Sequence, residues 1–227
     1  MKTTSLSIPF SPRAFSLALA LSLSCAAQTP SAQIPSAPAP NVATPAAIAR
    51  PLVPYTSCVF PDMLRIVQVD PLAPDVTSRS VDTKLGPQSI DLVAGARILF
   101  AYPMTDFFAN ARVELLPAGR YLQLKQILIA NLRYLESQPH GPMPAEALPV
   151  GLHGFDVHGN DRHRLEGDVL GMYLLFDDKA HIVTTVYFLN QQAWRRKFQS
   201  MDEYGRLRDH FLQNYTACVR QNEALEH

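Results

Sequence analysis

Three shortages shape this chain. The first 27 residues contain no Asp or Glu, no apolar run is long, and only three of the 227 residues are cysteine. The apolar stretch from Ala14 to Leu23 is far short of the roughly 20 residues that a membrane-spanning helix needs. No later segment is longer, so no helical span is expected. Lys plus Arg and Asp plus Glu both number 20, which leaves no basic excess to meet a nucleic-acid backbone. Catalytic signatures are also missing. No GxSxG, HExxH, CxxC, P-loop or GxGxxG occurs, so neither a nucleophile elbow, a zinc-binding helix nor a phosphate cradle is predicted.

What the first residues do contain is Lys2 and Arg13, the apolar stretch, and then Ser24, Cys25, Ala26 and Ala27. A basic start, an apolar middle and small residues at the end form the layout of a secretory signal peptide. Residues 1–27 are read as one, and the protein as exported to the periplasm or cell envelope. Cys25 leaves two endings open. A lipoprotein signal wants an aliphatic residue three positions before the cysteine and a small one just before it, and Ser22 and Ser24 meet half of that pattern. Cleavage after Ala27 puts Cys25 and Ala27 at the small-residue positions of an ordinary site, which is the better fit. Membrane attachment is expected only through lipidation of Cys25. Loss of the leader removes two positive charges and no negative ones, so a formal balance of zero becomes −2.

Residues 28–54 are rich in Pro, Ala and small polar residues, with one charge and no aromatic side chain. Such a tract buries too little apolar surface to offset its ordering entropy, and its prolines favour extended backbone. It is read as a linker. Residues 55–222 have the length of a single domain with a real core, and 223–227 are expected to be a disordered tail. Past the leader the only cysteines are Cys58 and Cys218, one near each end of the domain. In an oxidising compartment they are expected to form a disulfide, worth on the order of 4–5 kcal/mol for so long a closed loop.

The C-terminal helix carries the clearest pattern. Ser200 and Glu203 form a capping box, and Tyr204, Leu207, Phe211, Tyr215 and Cys218 then recur at helical spacing. A second helix is predicted over 120–137, with an apolar stripe at Tyr121, Leu124, Leu128, Leu132 and Leu135. The proline-punctuated 139–149 is a loop. Residues 150–190 read as a three-stranded meander whose first turn falls at Gly159, Asn160 and Asp161, pairing Phe155 with Leu165 and Asp156 with Arg164. The strands at 168–176 and 181–189 are apolar on both faces and so central. Earlier strands are predicted at 64–70, 89–95, 96–103 and 111–117. This order gives an α+β domain, a mostly antiparallel sheet with a C-terminal strand meander packed against two main helices.

A strand ending in Tyr102-Pro103, the helix at 120–137, the meander and the terminal helix together resemble the Mog1/PsbP-like domains over about residues 100–218. The resemblance is one of element order. It implies a small accessory or binding domain and carries over no site residue.

Candidate chemistry is sparse. His158 and His163, with His153, Asp156 and Asp161 nearby, have the donor types that zinc takes, but in the predicted register the two point to opposite faces. Trp194, Arg195, Arg196 and Lys197 form a basic-aromatic patch suited to anionic headgroups or an acidic partner. The functional expectation is an exported, non-catalytic binding or accessory domain without a cofactor, meeting an envelope protein or a small apolar ligand. Its rival is a metal-dependent or hydrolytic enzyme using the His153–His163 hairpin.

Overall fold

The computed structural model describes residues 47–62, 64–102, 107–145, 148–150, 152–190 and 198–225. The leader with Cys25, most of the Pro/Ala tract and the patch at 194–197 lie outside the described residues. In chain order the elements begin with a 3-10 turn at Arg50–Leu52 that runs into a short helix, α1 (Val53–Thr56). Strands β1 (Arg65–Pro71), β2 (Ser78–Thr83), β3 (Gly86–Asp91), β4 (Ala94–Ala101) and β5 (Phe107–Leu115) follow, then helix α2 (Tyr121–Glu136). Strands β6 (Met143–Pro144), β7 (Asp156–Asp161), β8 (Val169–Asp177) and β9 (Ile182–Leu189) precede the last helix, α3 (Met201–Leu225).

The fold is α+β. Seven strands in the order β1-β4-β5-β9-β8-β7-β6 form one sheet, and β2 and β3 form a separate hairpin. All pairings are antiparallel. As their continuous apolar character predicts, β8 and β9 lie in the middle, and Met172, Tyr173, Leu174 and Leu175 are all buried.

Helix α3 covers one face of the sheet. Its N-terminus is capped as expected, with the Glu203 N–H donating to Ser200 Oγ at 3.1 Å, while the Glu203 carboxylate accepts from the Gln199 N–H at 2.6 Å. Phe211 is the hub of that core, meeting the rings of Phe100 and Phe188 edge-on at 4.9 and 5.4 Å and stacking on Tyr215 at 5.7 Å. Such geometries add to the area that the aromatics bury. On the opposite face α2 and the β2–β3 hairpin form a second core with Met172, Leu174, Phe176 and Val183. Lys125 anchors α2, with its ammonium 2.7 Å from carboxylate oxygens of both Asp156 and Asp178 and 5.0 Å from the Phe176 ring centre.

Several expectations are corrected. Residues 159–161 are not a turn but the end of β7, in register with Tyr173, Met172 and Gly171 of β8. Phe155 therefore does not face Leu165, nor Asp156 Arg164; Asp156 pairs with Phe176 instead. The turn reading used Gly159 as a flexible residue, whereas its role is space, since a Cβ there would overlap the Tyr173 ring. The strand expected at 89–95 belongs to the separate hairpin as 86–91, and its partner β2 was not foreseen. At the domain's ends the helical structure is longer than expected. Leu52 and Pro54, assigned to the linker, are buried, and α3 continues through 223–225, assigned to the tail.

Candidate functional site

Because α2 and the hairpin sit over β8 and the ends of the neighbouring strands, part of their face of the sheet remains open. Strand alternation determines what is presented there. On β4, Ala96, Ile98 and Phe100 point into the α3 core, leaving Arg97 and Leu99 on the other side. On β5, Ala109, Ala111 and Val113 point inward, leaving Asn110, Arg112 and Glu114. Register then aligns two cross-strand rows. One runs Asp70, Arg97, Arg112, Thr185, Leu174; the next runs Gln68, Leu99, Asn110, Tyr187, Met172. Both rows change from polar and open at the β1 end to apolar and covered at β8.

The open ends of these rows line a groove of about 530 Å³, bordered by Asp70, Arg97, Leu99, Asn110, Arg112 and Tyr187, a size typical of small-molecule sites. At its inner margin Glu114 is fully buried and receives a bidentate fork from Arg79 of β2, at 2.7 and 2.8 Å. That pair fastens the hairpin to the sheet. Arg112 lies 3.8 Å from the same carboxylate. Beside Arg112, Thr185 is buried with its hydroxyl lacking a hydrogen bond among the described residues. The chemistry on offer is recognition of an anion by guanidinium groups over a half-apolar floor.

The predicted site residues fall elsewhere. His158 sits on β7 with its ring against Phe176 and its Nε2 3.2 Å from Asp156. His163 lies beyond the end of β7, beside a different cavity shared with Arg162, Met201 and Arg206. His153 adopts a left-handed turn conformation, φ 52°, and its carbonyl accepts from Arg220. No group of three metal-ligating side chains occurs among the described residues. Asp161 is instead a structural anchor that accepts from the Tyr173 hydroxyl at 2.6 Å, the Tyr204 hydroxyl at 2.5 Å and the Arg208 guanidinium.

Cys58 and Cys218 are free thiols, both buried, and both lie within reach of the Asn222 amide, at 4.0 and 3.7 Å. Their mutual hydrogen bond raises the Cys58 thiol, as does burial. The same bond lowers Cys218 to about 7, with burial opposing and the Val59 N–H and Asn222 assisting.

Sequence reasoning missed the groove residues. The available signal was a polar stripe of period two, Asn110, Arg112 and Glu114, inside a strand whose other face is wholly apolar. No family model, curated protein or solved structure matches this chain. Among the described residues no helix is long and apolar enough to cross a membrane.

Proposed function

We propose that this chain is an exported, non-catalytic binding or accessory domain that holds its ligand in the groove on the open part of the sheet. The observation that carries the reading is the arginine-bearing row Asp70, Arg97, Arg112 beside a half-apolar row, left uncovered next to the part of that face that α2 and the hairpin pack. A sheet face this polar is not an unfinished core, and the groove's guanidinium groups favour an acidic ligand over the apolar one expected from sequence. The basic start and small-residue end of the leader support export. Export in turn favours a Cys58–Cys218 bond, since the two thiols already share a polar neighbour and an oxidising compartment is where such a pair joins. The order of elements, like that of Mog1/PsbP-like domains, agrees with an accessory role.

Native mass spectrometry of the protein purified from the envelope tests this reading. The wild type is expected to carry a small-molecule adduct that is released unchanged on denaturation, and the Arg97→Glu/Arg112→Glu double variant to lack it. An adduct of equal occupancy in the double variant, or one chemically converted on incubation, contradicts it.

A further inference from the structure

Resting on the groove as the binding face, we propose that its ligand is a small molecule carrying a carboxylate on an apolar body. Arg97 and Arg112 are directly opposed in the β4–β5 register, which brings their Cβ atoms to about 5 Å, a spacing at which like charges repel. The nearby carboxylates do not resolve this. Asp70, opposite Arg97, accepts a hydrogen bond from Gln68 Nε2 at 2.7 Å. Both oxygens of Glu114 are held by Arg79, and Arg112 reaches only 3.8 Å. Among the described residues Arg97 makes no ion pair.

A planar oxyanion between the two guanidinium groups removes the repulsion and meets the geometry of either fork. The next row sets the rest of the ligand. Leu99 and Tyr187 offer half-buried apolar surface on either side of the Asn110 amide, and Tyr187 continues into the apolar packing beneath α2. A bare anion satisfies the arginines and leaves this floor wet. A carboxylate with an apolar body fills both rows.

Calorimetric titration of the purified protein with three probes tests the assignment: 4-phenylbutyrate, its neutral amide, and inorganic phosphate. The butyrate is expected to bind at least about tenfold more tightly than the amide or phosphate. Arg97→Gln and Arg112→Gln are each expected to weaken it about tenfold with an unchanged melting temperature. Equal affinity for acid and amide, phosphate binding as tight as the butyrate, or indifference to both substitutions overturns the ligand class. If the butyrate does not bind while envelope-purified protein still carries an adduct that the double variant lacks, the ligand class fails and the groove stands. If neither is seen, both fail.

Discussion

Two aspartates carry much of the interpretation at the scale of single residues. Asp161 gathers Tyr173, Tyr204 and Arg208, and Asp177 gathers Tyr55 and Arg220. Tyr173 is fully buried, so Tyr173→Ala is expected to cost about 3–5 kcal/mol through the cavity it leaves. Tyr173→Phe keeps the volume and loses the bond to a carboxylate, about 1.5–3 kcal/mol. Urea denaturation of both variants separates the two contributions. For Asp177, burial alone would raise the carboxyl, but hydrogen bonds from Arg220 and Tyr55 outweigh it and hold the group below the usual carboxylate value. A depressed folded value means that the stabilisation is complete above the ordinary carboxylate pKa and is lost as pH falls through the lowered one. Asp177→Asn is therefore expected to destabilise the protein by about 3 kcal/mol at neutral pH, and the gap to the wild type to narrow in strong acid. A gap that stays constant with pH contradicts the charge-based account.

Element by element, the sequence was informative where one physical pattern dominated. Helices α2 and α3 and strands β8 and β9 follow from apolar periodicity, because each buries a face or both faces against a layer. The β7 turn was misplaced because Gly-Asn-Asp has turn chemistry, whereas the need for glycine at 159 comes from the Tyr173 ring, distant in sequence. Gly171 has a similar origin, since a Cβ there would strike the Tyr204 hydroxyl and Asp161. Strand β2 was invisible because its burial is confined to Val81 and Thr83 at alternate positions in a polar segment. The groove was hidden because its polar stripe acquires meaning only once α2 is seen to stop short of it. The packed segment 50–54 changes what truncation should do. A chain beginning at Tyr55 loses the fully buried Leu52, and its stability is expected to fall by about 2–3 kcal/mol relative to one beginning at Ala47. Equal melting temperatures for the two would mean that the 3-10 turn and α1 do not hold the core.

At the largest scale, the described residues form a sheet with one face sealed and the other sealed only in part. Helix α3 spans the sealed face and is held toward both ends, by Arg208 to Asp161 and by Arg220 to Asp177, and the free thiol of Cys218 lies on it near that of Cys58. If the proposed export holds, protein folded in an oxidising compartment is expected to show no titratable thiol from Cys58 and Cys218 on unfolding until reduced, and to melt at a lower temperature after reduction. Two reactive thiols without reductant contradict the bonded pair. The central claim concerns the partly open face, and an amide chemical-shift map of the ¹⁵N-labelled protein, titrated with 4-phenylbutyrate, tests it most directly. The account predicts perturbations confined to residues 68–70, 97–99, 110–112 and 187, on four strands, β1, β4, β5 and β9, that are adjacent in the sheet. Perturbations centred instead on 162–166 and 206, or none at saturating concentration, would contradict it.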